Sequence, residues 1–445
     1  MLYLKENKHY IITALIFFFV SIYYLILTPT ELSWRNVSYD SPNYLMSAKY
    51  LVLSHPSPGA PLYNIFNAVW IRLLPLGSDY LKIALISVFS SAGVAALLYY
   101  FTKNMLSPLI WLASSVVLSQ SVVLEVYATI SLMTLVAYWL HRTEHRNWAY
   151  LIIGLGLAIH HLIGFLFVFL IASDYIKRKE ISLKPILFVF ISLPFFLYIP
   201  LVNREPYIWI TGESLHSYYL YFFSQGGLTG GLAIIPANDL IERIKEFTIL
   251  SFSSFGFFLI YSKKVIETQD KLLLGLIGVI LLYYFTNLAP QTFTYLVPAI
   301  ALISLAIGLA IKGRMLIYFP LMILLISLNF ASFAQQFTQN NVAQDFYQSL
   351  NEIPSNSIVW SQNRGWEKTT IQLYNNDRNT RIDQVNLHKP FREPKELKKV
   401  ILDAEKEGRL YKSVVLDPQS LQVELVHASA QDLFGDSKLQ PFLQP

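Results

Sequence analysis

The first 340 positions hold only 36 charged residues, whereas the last 105 hold 27, of which 13 are basic and 14 acidic. A water-soluble chain carries roughly a quarter of its residues as Asp, Glu, Lys and Arg. The long first part falls far short of that level and the last part meets it. This division predicts a polytopic all-α membrane bundle at 1–334 and a small soluble α/β domain at 335–445. Secreted, cytosolic and DNA-binding proteins are excluded for the bulk of the chain. Cysteine is absent, which removes disulfides and thiolate metal sites.

Apolar runs predict about eleven spans. The first follows Lys5 and Lys8 and reads as a retained anchor, because no small-residue cleavage site comes after it. The others lie near 82–101, 106–121, 125–141, 148–160, 161–175, 182–201, 246–262, 271–286, 290–311 and 315–331. With the N-terminus in the cytoplasm, 14 Lys or Arg fall on short inner loops and seven on the longer outer segments before the tail. That bias follows the positive-inside rule and places the C-terminal domain outside the cell membrane. The Gly-rich stretch Leu220–Ile235 reads as an external loop that dips into the protein.

The first external loop, 29–81, is too apolar for a connector. It carries two amphipathic helical patterns, 42–53 and 61–74, separated by HPSPGAP. Tyr44, Leu45, Ala48, Tyr50 and Leu51 form the apolar side of the first. Leu62, Ile65, Phe66, Val69 and Leu73 form that of the second. Such helices lie along a membrane surface. Asp40 stands at the entry of the first. Asp40-Ser41-Pro42 is an ordinary helix start, with Asp or Ser as cap and Pro in the first turn. A carboxylate at that surface is equally placed to take a proton from a hydroxyl nucleophile.

Glu125 lies in VVLSQSVVLEVYATISL, at the external boundary of two spans, where a carboxylate beside hydrocarbon calls for a partner or a task. His160 and His161 sit at the apex of a short pair of spans, also external, and suit either phosphate binding or packing. Read as helical neighbours, they point about 100° apart, which disfavours one shared metal. His55 either orients the turn between the two surface helices or binds. Arg72 and Arg204 are external cations at headgroup depth, and Arg204, beyond the seventh span in the external loop 202–245, also suits snorkelling. No ligand spacing specifies a metal; a divalent cation used in a reaction here would fall to Asp40 and Glu125. Walker A, dinucleotide and nucleophile-elbow motifs are missing, and the basic residues do not cluster as on a nucleic-acid surface.

The order Asp40, HPSPGAPLYNIFNAVWIRLLPLG, FSSAGVAALLYYFT, SQSVVLEVYATISL and GLGLAIHHLIGFLF resembles the bacterial protein O-mannosyltransferase-like family of the GT-C superfamily. The resemblance is specific over about 30–175 and looser beyond. It implies an inverting transfer of a sugar, such as mannose or another hexose, from a polyprenyl-phosphate carrier to a hydroxyl of a protein, glycan or lipid. By the same resemblance Asp40 is the base, and Glu125 helps to hold the acceptor, a metal or the base. His55, His160, His161, Arg72 and Arg204 are candidates for the donor or its phosphate. Here Asp40 is followed by SPNY, where the family typically has a Cys-Gly-Glu type of sequence, so a neighbouring carboxylate is missing. A transporter or lipid-linked-sugar flippase would instead favour paired discontinuous helices and ionisable residues near mid-membrane, and a non-catalytic scaffold presenting the external tail is the second alternative.

Overall fold

A computed structural model describes residues 2–33, 41–52, 60–179, 183–202, 237–252, 254–269, 271–286, 292–311, 315–338, 342–360, 365–378, 382–384, 394–417 and 422–434. The chain forms two compact units, one of residues 1–30 and 47–335, the other of residues 31–46 and 336–445.

The elements run in the order α1 (Leu2–Leu27), α2 (Ser41–Tyr50), α3 (Pro61–Leu73), α4 (Asp79–Thr102), α5 (Leu106–Leu112), α6 (Ser115–Ser121), α7 (Tyr127–Arg142), α8 (Arg146–Leu157) and α9 (Leu162–Arg178). Next come α10 (Leu183–Phe190), α11 (Leu193–Phe196), α12 (Tyr198–Val202), α13 (Ala237–Phe252), α14 (Ser262–Thr268), α15 (Lys271–Thr286), α16 (Leu296–Ala310) and α17 (Met315–Thr338). Among the described residues, Lys8–Leu27, Asp79–Thr102 and Phe293–Ala310 are helical stretches long and apolar enough to cross a membrane. The bundle is that of a membrane protein: α1 exposes Ile11, Phe18, Phe19 and Ile26, side chains that suit lipid and not water.

α4 and α16 form the buried centre. α4 carries Ser87, Ser90, Ser91, Ala92, Ala95 and Ala96 on its buried surface, and small residues let neighbouring helix backbones approach closely. α16 meets α5 at Gly308, where an added Cβ would lie 1.6 Å from Ser107 Oγ. The Ser107 hydroxyl in turn donates to Ser304 O at 2.9 Å. Asn104 Nδ2 donates to the carbonyls of Gly308 and Ile311, each at 3.0 Å, and so closes the end of α16. The last turns of α7 and α9 and the first of α8 are tied through Asp174. It accepts from Tyr150 at 2.5 Å, lies 3.0 Å from Arg146 and faces His141 Nε2 at 3.2 Å.

Several stretches that read as single spans are broken. The run 106–121 is two helices, α5 and α6, because Ser114 turns extended and its hydroxyl caps the Val117 amide. The run 182–201 divides into α10, α11 and α12; Pro194 lies in the first turn of α11, where its missing N–H interrupts the helical ladder. The run 246–262 begins earlier, at Ala237, and passes from α13 into a 3-10 turn over Gly256–Tyr261. The stretch 220–235 lies outside the described residues.

α3 has the two faces that its pattern predicts. Phe66, Val69 and Leu73, assigned to its apolar side, are exposed, while Tyr63, Asn64, Asn67 and Ala68 are buried. This helix turns its polar side into the protein and its apolar side outward, the reverse of a helix on a water-soluble core and the arrangement suited to a lipid surface.

In the second unit, α18 (Val342–Ser349), β1 (Ile358–Trp360), α19 (Gly365–Arg378), β2 (Asp383–Gln384), α20 (Pro394–Lys406), β3 (Leu410–Asp417), β4 (Gln422–His427) and α21 (Ala430–Phe434) follow in order. The sheet has the order β2-β1-β3-β4, parallel except for β3–β4. Ile358, Trp360, Ile401, Leu410 and Leu433 form its apolar core. The apolar runs IVW and SVVL lie in β1 and β3, and ELKKVILDAEK lies in α20. TTIQLYNN is helical, within α19.

Candidate active site

Glu125 lies in the short irregular link between α6 and α7, just before Val126, and is 2% exposed. Its position is fixed from two sides. The Ser87 hydroxyl of α4 donates to the Glu125 carbonyl at 2.9 Å, and the Tyr63 phenol of α3 donates to the same oxygen at 3.3 Å. α3 is anchored beside it by its first turn, where Leu62 N donates to Ala158 O at 2.9 Å. Ala158 closes α8, so the turn that carries the two histidines is held to α3 as well.

Two residues after Glu125, Tyr127 opens α7 and points at the same turn. Its ring lies 5.4 Å from that of His160 and 5.8 Å from that of Tyr295. His160 and His161 do not diverge as helical neighbours would. Their rings stack at 4.2 Å between centroids and 27° between planes, because both residues belong to the turn between α8 and α9. His160 Nδ1 accepts from Leu162 N at 3.1 Å, which caps the start of α9. His161 Nε2 is hydrogen-bonded to the Tyr283 hydroxyl of α15. Tyr283 and Tyr295 pack edge to face at 5.0 Å, which closes a cluster of two histidines and three tyrosines beside Glu125.

Burial, and to a smaller extent the nearby Glu125 charge, push the Tyr63 phenol above its usual range, with Ser87 and Asn67 opposing. Tyr63 therefore stays a neutral hydroxyl at all working pH values.

The structure thus stacks His160 on His161 and sets His160 against Tyr127, two residues after Glu125. Arg72 lies elsewhere, at the far end of α3. Its guanidinium donates to Ala68 O at 2.5 Å, Ala48 O at 3.2 Å and Lys49 O at 3.3 Å, and so joins α3 to the end of α2. Asp40, His55 and Arg204 lie outside the described residues, as does the Asp40–Glu125 separation. Tyr63, Asn67, Tyr283 and Tyr295 were not singled out by sequence reasoning as site residues. Tyr127 stood in the EVYA element, but single tyrosines in a chain with 28 of them carry no local signal. No group of three His, Asp or Glu side chains that could hold a metal ion occurs among the described residues.

A family model described as the protein O-mannosyl-transferase TMEM260 N-terminal domain matches residues 40–112, from Asp40 through α2, α3 and α4 to the end of α5. Among solved structures, the chain matches ArnT from Cupriavidus metallidurans bound to undecaprenyl phosphate. The TM-score is 0.56 at 10% identity, with 90% of this chain and 93% of that chain covered. The fold is that of ArnT. The resemblance read from the sequence thus meets a family model over residues 40–112 and a likeness of fold over nine-tenths of the chain. Curated proteins give no sequence match. In this ArnT-like bundle the Glu125 link, the start of α3 and the histidine turn share one end, while the Asp174 network holds the other ends of α7 to α9.

Proposed function

We propose that this chain is an inverting, membrane-embedded glycosyltransferase that moves a sugar from a polyprenyl-phosphate carrier to a hydroxyl acceptor at the outer membrane face. The observation that carries this reading is the gathering of Glu125, His160 and His161 at one end of an ArnT-like bundle, beneath a helix inside a match that begins at Asp40. Polyprenyl phosphate suits the architecture, since its tail needs lipid while its reacting head and the acceptor need water.

Asp40 takes the acceptor proton as the hydroxyl oxygen attacks the anomeric carbon. The bond between that carbon and the phosphate oxygen breaks on the opposite face, and the electron pair leaves with the polyprenyl phosphate. A single displacement of this kind inverts the anomeric centre. Glu125 helps to hold the acceptor at the reacting carbon. The His161–Tyr283 pair, with His55, His160 and Arg204, offers hydrogen bonds and positive charge to the departing phosphate. Arg72 serves the loop that carries Asp40, through its bonds to α2. The sidedness supporting this scheme is the charge bias of the loops, with eleven spans, an inner N-terminus and an outer C-terminal domain.

The test is transfer of labelled sugar from polyprenyl-phosphate mannose, with other hexoses as alternatives, by the purified wild type and by Asp40→Asn. Transfer by the wild type and a loss of 10²-fold or more in the variant is expected. Equal transfer by both removes Asp40 from the role of base.

A further inference from the structure

Asn67 is fully buried on α3, and neither atom of its carboxamide has a hydrogen-bond partner among the described residues. It lies one turn beyond Tyr63, on the same inward face, and its carboxamide faces the Tyr63 phenol. A buried carboxamide offers two donors and two acceptor lone pairs, and leaving them all unmade is costly and rare in native proteins. Nothing about helix stability calls for Asn there. Asn is a poor helix former, and an apolar residue of similar size would fill the same space.

The neighbouring groups limit the ligand. Tyr63 supplies a hydroxyl that stays protonated, and Glu125, whose carbonyl Tyr63 holds, brings a buried carboxyl group. An anion is disfavoured beside a carboxylate, so the phosphate of the donor belongs at the histidine side. A carboxamide, a neutral phenol and a carboxyl group together match a polyol, whose hydroxyls each donate and accept. We propose that Asn67 and Tyr63 form a sugar-recognition subsite, in which the Asn67 carboxamide binds hydroxyls of the sugar that is transferred. This rests on the transferase reading and adds to it the residues that recognise the sugar. α3 packs on α4 and touches α11, and Phe66, Val69 and Leu73 are exposed on its other face.

The full-length protein in nanodiscs is titrated with polyprenyl phosphate and with polyprenyl-phosphate mannose, glucose and galactose, a measurement that needs no turnover. The wild type is expected to bind at least one sugar-bearing lipid tenfold or more tightly than polyprenyl phosphate. Asn67→Leu is expected to abolish that difference, to leave the affinity for polyprenyl phosphate within twofold, and to raise the unfolding temperature. Asn67→Ala serves the same comparison if the leucine variant does not fold, and Tyr63→Phe should narrow the difference several-fold. Equal binding of all four lipids by the wild type, or an unchanged sugar preference in Asn67→Leu, overturns the subsite. So does a parallel loss for all lipids, which marks Asn67 as structural. Sugar-dependent binding that vanishes in Asn67→Leu, with no transfer by the wild type to any acceptor, supports the subsite and removes the transferase reading.

Discussion

The Tyr63 hydroxyl and the Glu125 carbonyl meet at 3.3 Å across 62 positions of sequence. Through this contact α3 sets the place of an acidic residue that lies three helices further on, beyond α6. Tyr63→Phe removes one of two hydroxyls on that carbonyl and leaves the Ser87 bond at 2.9 Å. A stability loss of about 1 kcal/mol is expected, measured as a lower unfolding temperature in detergent.

The same substitution has a pH signature. The folded-state pKa of Tyr63 is raised by burial, whereas an unfolded tyrosine ionises near pH 10. The unfolded chain alone loses that proton above about pH 10, so the contribution of Tyr63 is complete below this point and is lost as the pH rises past it. The wild type should lose stability between pH 9 and 11 more steeply than Tyr63→Phe. Parallel profiles would show that Tyr63 is not buried as described.

Glu125→Gln keeps the shape of the side chain and both backbone contacts. Sugar transfer should fall by about 10²-fold or more, with little change in unfolding temperature. Transfer at the wild-type rate would leave Glu125 as a packing residue.

Tyr283→Phe leaves its ring packed on Tyr295 and Phe165, at 5.0 and 4.9 Å, and removes the hydroxyl that engages His161. The expected result is a several-fold weaker inhibition by free polyprenyl phosphate at an unchanged unfolding temperature. A drop in stability without a change in inhibition would assign the His161–Tyr283 pair to the fold.

Gly308→Ala tests the centre of the bundle. The new methyl would collide with Ser107 Oγ, whose hydroxyl is committed to Ser304 O. Separation of α5 from α16 should cost about 1–3 kcal/mol, read as a lower unfolding temperature. An unaffected variant would mean that the two helices do not approach as closely as described.

Much of the secondary structure was legible in the sequence, since apolar runs and turn residues act over a few positions. α4, α15 and the two surface helices lie where the patterns predict. Helix breaks were less legible. Ser114 and Pro194 act through a cap and a missing amide, and both are invisible to an average of hydropathy. The two faces of α3 were legible as well, with a polar stripe at Tyr63, Asn64 and Asn67. Amphipathicity shows that a helix has two faces; it does not say which one meets protein when the other meets lipid.

By itself the sequence determined the division into a charge-poor bundle and a charged tail, because water and hydrocarbon demand different compositions over long stretches. It also singled out Glu125 and the two histidines, since polar groups beside an apolar run stand out one by one. Only the tertiary structure decided what these residues face. The stacking of His160 on His161, the hold of Tyr63 and Ser87 on Glu125, and the unsatisfied Asn67 all depend on where separate helices meet. Hydrogen bonds and ring contacts act over a few ångströms in space, whatever the distance along the chain.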